Sequence, residues 1–123
     1  MASARKRVLI LDHDEDLLLR LEQLLEHEGV ATDITWDAQQ AMDMMQRHSY
    51  DLLILGHHPP EVDAVGVLRQ LTPEKNPGCV ILQSGAQYPF EQEYLQSLGA
   101  RAVLSKHEEA IGIRVRQMLP VAS

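Results

Sequence analysis

A chain of 123 residues, 45% of them hydrophobic, can bury one sizeable core, and the expectation is a single domain over 1–123 with its core at about 7–119. Lys and Arg number 11 against 18 Asp and Glu, and the resulting net charge of −7 argues against bulk nucleic-acid binding, which needs basic surface to neutralise phosphates. No apolar run approaches the ~20 residues of a membrane span, and no signal-like stretch follows the basic start Met1 to Arg7, so a soluble, cytoplasmic protein is expected.

Val8 to Leu11 is an aliphatic run of strand length that stops at Asp12-His13-Asp14-Glu15. Asp14 is placed to N-cap a helix with Glu15 and Asp16 in its acidic first turn. Leu17, Leu18, Leu21, Leu24 and Leu25, with the stem of Glu28, fall on one face, and Gly29 ends the helix. Val30, Thr32 and Ile34 then alternate with Ala31, Asp33 and Thr35, the pattern of a half-exposed strand near a sheet edge. Asp37 caps the next helix, which runs to about His48 with Ala38, Ala41, Met42 and Met45 inward; methionines there are core filler.

Leu52 to Leu55 is a continuous aliphatic run, too short for a helix and stopped by Gly56 and then Pro59 and Pro60. Such a strand, buried on both faces, belongs at the centre of a parallel sheet. A third helix follows Pro60 with Val62, Val65, Leu68 and Leu71 on one side, and Thr72 to Gly78 has loop composition. Cys79 to Leu82 is a fourth strand, running into Gln83-Ser84-Gly85. Cys79, the only cysteine, excludes an internal disulfide and reads as a buried core thiol. A short helix from about Phe90 to Leu98 presents Phe90, Tyr94, Leu95 and Leu98, and Gly99 ends it. Arg101 to Leu104 is the fifth strand; Ser105-Lys106-His107 leads into a last helix that turns Ile111, Val115 and Met118 inward.

Five βα units without a repeat or linker predict an α/β fold: a five-stranded parallel sheet with helices on both faces, a three-layer (βα)5 sandwich. The flavodoxin-like strand order 2-1-3-4-5 is expected, with a crevice where strands 1 and 3 diverge. The carboxyl ends of its strands would gather Asp12, His13, Gly56, Gln83 and Lys106.

In this order the chain resembles a receiver domain of two-component response regulators over about residues 7–119. Val8 to Asp16 resembles the receiver's first strand and acidic loop, and Tyr50 to Gly56 its third strand and phosphorylation position. Pro60 to Asp63 resembles the Pro-x-x-Asp turn, and Gly99-Ala100 with Ser105-Lys106 the fifth-strand signature. The resemblance implies an aspartate after strand 3 that accepts a phosphoryl group, and two acidic residues after strand 1 that help hold Mg²⁺. It also implies a Ser or Thr after strand 4 and a Lys after strand 5 on the phosphoryl oxygens, with an aromatic residue in strand 5 that repacks.

Against that pattern the acceptor position is Gly56, without a side chain, and the second acidic position is His13, with Asp12 keeping the first. The hydroxyl position is Gln83, or Ser84 if the register shifts by one; the aromatic position is Val103. Lys106 remains, followed by His107 where Pro is usual. Asp51 cannot stand in for the acceptor, because five residues of strand put it roughly 16 Å away at the other end of the sheet. Asp63 reads as a helix-start or loop residue and Asp14 as a cap.

Deprived of an anion at position 56, Lys106 either pairs with Asp12 across the crevice or is solvated at its strand end. His13, His57, His58 and His107 share the rim, so Asp12, His13, His57 and His107 form a metal-site alternative beside the reading of scattered, solvated histidines. The expected function is that of an atypical receiver in a phosphorelay, with no cofactor and no catalytic residue, acting by protein contact without phosphorylation. The alternative is a metal-binding sensor using the His-rich rim. By resemblance the partner is an effector, a kinase or a second copy, met on the surface of the fourth helix, fifth strand and fifth helix. Tyr94, Arg101, Val103 and Arg114 lie there, and a plain solvated face is the other reading.

Overall fold

Strands and helices alternate from end to end: β1 (Arg7–Leu11), α1 (Glu15–His27), β2 (Ala31–Thr35), α2 (Ala38–Arg47), β3 (Leu52–Gly56), α3 (Ala64–Gln70), β4 (Cys79–Gln83), α4 (Pro89–Ser97), β5 (Ala100–Ser105) and α5 (Ile111–Met118). The structure, a computed structural model, describes residues 5–57, 63–71, 76–83, 89–107 and 110–119, with backbone alone at 83 and 89–92. The strands are parallel and lie in the order β2-β1-β3-β4-β5, the flavodoxin-like topology expected from the pattern of elements.

Successive strand residues face opposite sides of the sheet, which splits the core in two. On one side Val8, Ile10, Leu52, Ile54, Val80, Leu82 and Leu104 meet Leu18, Leu21 and Leu25 of α1 and Ile111 and Val115 of α5. On the other, Leu9, Leu11, Leu53, Leu55, Cys79 and Ile81 meet Ala41 of α2, Ala64, Val67 and Leu68 of α3, and Leu95 of α4. Every residue of β3 is buried, as its unbroken aliphatic run requires. Each such Leu or Ile contributes roughly 1.5–3 kcal/mol relative to exposure.

Three helices, α1, α2 and α3, begin on aspartates. Asp14 accepts from Leu17 N, Asp37 from Gln39 N and Asp63 from Val65 N, each satisfying an orphan amide of the first turn. Gly29, at φ 82°, takes the left-handed position that ends α1.

Several side chains face otherwise than their spacing predicts. Leu24 is 38% exposed, because α1 docks through Leu17, Leu18, Leu21 and Leu25 and leaves Leu24 on the flank, against Gly112 of α5. Glu28, at the helix end, and Ala38, in the first turn of α2, are exposed, whereas Thr35 is buried. In α3 the helix opens at Ala64, so Ala64, Val67 and Leu68 turn inward and Val65 is only half-buried. Val62 lies outside the described residues. Tyr94 is 43% exposed while Leu95 beside it is buried.

Candidate functional site

Past β1 the chain leaves the sheet at Asp12, whose amide still extends the ladder by donating to Thr35 O at 3.2 Å. That last bond points the carboxylate into the crevice, where it is 0% exposed. Lys106, one residue beyond β5, reaches across from the far side and is 7% exposed. Its Nζ donates to Asp12 Oδ1 at 3.1 Å and lies 2.9 Å from Oδ2, the latter a charge contact without hydrogen-bond alignment. Oδ1 also accepts from Asp14 N at 2.9 Å, and His13 Nδ1 lies 3.1 Å from it. Of the two readings of Lys106 open in the sequence, the paired one holds.

The pair is electrically neutral, and its burial makes it demanding. Two desolvated charges repay their lost hydration only in close contact, and removing one partner strands the other. The surroundings fasten both ends. Asp14 N holds the carboxylate from the α1 side, and Arg20 Nη2 of α1 donates to the carbonyl of Lys106 at 3.4 Å. Arg20 carries no sequence signal for this role, since its partner is a backbone atom 86 positions away.

Gly56 ends β3 directly beneath the carboxylate. A Cβ built there would collide with Asp12 Oδ2 and sit 2.5 Å from Asp12 Cγ. Asp12, Gly56 and Lys106 are therefore one cluster, with His13 at its edge. Gln83 reaches the rim by its backbone, in register with Ser105, while Ser84 and His58 lie outside the described residues. A small open cavity of about 300 Å³ outside the pair is lined by His13, Asp14, Asp16, Arg20 and His107, among others.

The four residues of the metal alternative are not drawn together: among the described residues no three His, Cys, Asp or Glu side chains stand close enough to share an ion. His57 Nδ1 instead accepts from Ala64 N at 3.2 Å, so that it helps Asp63 satisfy the first turn of α3. Nor do the residues present suit Mg²⁺, which wants several oxygens in octahedral array. Asp12 is buried on Lys106, Asp14 caps α1, and position 56 supplies no carboxylate.

On the α4–β5–α5 face, Val103 is half-buried against the core, and Tyr94 accepts a hydrogen bond at its hydroxyl from Arg69 of α3. Arg101 Nη1 donates to Met118 O at 2.6 Å, covering an orphan carbonyl at the end of α5. Arg114 is exposed on α5. A cavity of about 550 Å³ lined by Met42, Met45, His48, Tyr50 and Leu71, among others, lies near the amino ends of the strands, away from this cluster. Burial, the hydrogen bond to Asp33 and that carboxylate's charge hold the Tyr50 hydroxyl well above the usual tyrosine range, and burial pushes the Cys79 thiol up to about 12.

Doubly wound topology and a rim at the strand carboxyl ends define a CheY-like class of α/β domain, and sequence comparison fixes the family. The family model of the response regulator receiver domain matches residues 8–116, so the chain belongs to that family. It is 23% identical over 116 residues to the alkaline phosphatase synthesis transcriptional regulatory protein PhoP of Bacillus subtilis, covering 93% of this chain and 48% of that protein. To the transcriptional regulatory protein CpxR of Escherichia coli it is 28% identical over 115 residues, 92% of this chain and 49% of the relative. The chain thus spans about half the length of these two relatives. Among solved structures, chemotaxis protein CheY4 of Vibrio cholerae superposes with a TM-score of 0.83 at 16% identity, covering 95% of this chain and 100% of that one. Receiver domains are signalling modules, and among the described residues no helix is long and apolar enough to cross a membrane.

Proposed function

We propose that this receiver works without aspartyl phosphorylation, as a recognition module held in one state by its own charges. The observation that carries the reading is the buried Asp12–Lys106 pair seated over Gly56. The chemistry of the family needs a carboxylate nucleophile at the end of β3, a metal beside it and a lysine free to meet the phosphoryl oxygens. Here the first is absent, the residues do not suit the second, and the lysine already has an anion. Charge stabilisation that a phosphoryl group would bring is supplied from within the chain.

What remains for such a domain is binding to another protein: an effector, a kinase or a second copy. The α4–β5–α5 face, with Tyr94, Arg101, Val103 and Arg114, is the surface we assign to that contact, and the cytoplasm is the compartment where a two-component partner would be met. In this reading the domain is not an enzyme and takes no cofactor. The test is intact mass after incubation with acetyl phosphate and Mg²⁺: an unmodified mass is expected, and a stoichiometric phosphate adduct would overturn the proposal.

A further inference from the structure

Glycine at position 56 calls for a reason other than its backbone. Gly29, Gly78 and Gly99 adopt positive φ, where a side chain would be strained, but Gly56 does not. It lies in regular strand, in register with Leu82, and the next amide, His57 N, donates to Leu82 O at 2.9 Å. Any L-residue could adopt that conformation. A small residue inside a strand instead marks a place where something else comes close, and here the intruder is a carboxylate.

We infer that Asp12 and Gly56 are a matched pair: the Asp12 carboxylate, delivered from β1, fills the volume that a side chain on β3 would occupy, so the pocket carries its own carboxylate against Lys106 and admits only glycine beneath it. The inference deepens the reading above and rests on it for the meaning of position 56 in the family. A Cβ on residue 56 would lie 2.5 Å from Asp12 Cγ and 3.2 Å from its Cβ, besides overlapping Oδ2. Gly66 and Gly112, by contrast, would place a Cβ no closer than 3.2 Å to any neighbour, a gap that a few tenths of an ångström of movement would relieve.

Asp12 has little freedom to give way. Oδ1 is held by Asp14 N at 2.9 Å, and swinging the carboxylate aside would leave Lys106, 7% exposed, without its counter-ion. A methyl group at 56 and a carboxylate at 12 therefore compete for one space.

The test is a double-mutant cycle by urea unfolding. Gly56→Ala is made in the wild-type chain and in a background carrying Asp12→Ala with Lys106→Met, which empties the contested space without stranding a buried charge. Gly56→Ala is expected to lower the folding equilibrium constant about tenfold or more in the wild type and less than about threefold in the double-variant background, a coupling within the range of residues in direct contact. Equal losses in both backgrounds overturn the inference. Failure of Gly56→Ala to fold while the triple variant folds supports it, whereas failure of both with a folded double variant overturns it.

A second readout does not depend on that background. The ¹H–¹⁵N signal of the Lys106 ammonium should be slowly exchanging in the wild type and lost to exchange in Gly56→Ala. An unchanged signal would show that Asp12 had never been displaced, overturning the inference. A phosphate adduct on the wild-type chain sinks the functional proposal without touching this cycle. An additive cycle on an unmodified chain sinks the matched pair alone.

Discussion

Asp12 and Asp51 sit at opposite ends of the same sheet and do different work. Asp51 precedes β3 and accepts from Arg7 N at 2.8 Å, tying the start of β1 to its neighbour through a part-buried bond. Asp12 follows β1, is wholly buried, and has its charge balanced by a single lysine 94 positions away. The amino-end carboxylate fastens strands, whereas the carboxyl-end one pairs with a buried lysine over a glycine. Burial, more than the identity of the side chain, separates the two roles.

Removing Asp12 has the largest expected effect. Asp12→Ala leaves Lys106 buried and unpaired and should cost about 3–5 kcal/mol in urea unfolding. Asp12→Ala with Lys106→Met should recover most of that, since an apolar replacement of both partners removes the desolvation cost as well. A loss below about 1 kcal/mol for the single variant would mean the pair is solvated after all. Next in size is a core control on the same strand system, Leu53→Ala, expected to cost about 2–5 kcal/mol wherever it is measured in salt, because the term is apolar. Raising NaCl from 0.1 M to 1 M should likewise leave the Asp12 penalty nearly unchanged, as buried pairs are poorly screened.

Alkaline pH probes the sheet interior. The Cys79 thiol, with an ordinary value of 9.0, is pushed up to about 12 in the fold, so above pH 9 the unfolded chain loses a proton that the native chain keeps. Stability is then fully present below pH 9 and falls as pH rises toward 12, by up to about 1.4 kcal/mol per unit from this group. Tyr50, raised by burial and by Asp33, acts in the same direction. Cys79→Ala should flatten the decline measured by urea midpoint against pH; an unaltered slope would remove the thiol from the account. The smallest effect belongs to the other carboxylate: Asp51→Asn should cost about 1 kcal/mol, the net worth of one part-buried hydrogen bond.

The fold was largely legible. Leu52 to Leu55 reads as a doubly buried strand because nothing else suits an unbroken aliphatic run of that length, and Asp14 and Asp37 read as caps because their side chains answer a local need. Leu24 stands off the core because helical spacing defines a stripe but not its width, and α1 docks through a narrower stripe than its apolar residues cover. The α3 face is turned by one residue from the expected one, so that Ala64 and Val67 are buried beside Leu68 while Val65 is half-buried.

At the rim, topology alone brought Asp12, Gly56 and Lys106 together, and the charge logic of a missing acceptor pointed to the pair. The descent of the Asp12 carboxylate over Gly56 was not legible, because it depends on a side-chain rotamer and on the amide of Asp14 that holds it. The same is true of His57, which the topology places on one rim with His13 and His107 while its ring accepts from a helix amide.

The most direct test is the ¹H–¹⁵N spectrum of the domain, recorded first with Mg²⁺ alone and then with Mg²⁺ and acetyl phosphate. The amides of Asp12, Gly56 and Lys106 should keep their positions in both, because the pocket already holds its counter-charge. Shifts at these three amides that appear only with the phosphodonor, together with an added phosphate mass, would contradict it and would mean that another residue has taken over as acceptor.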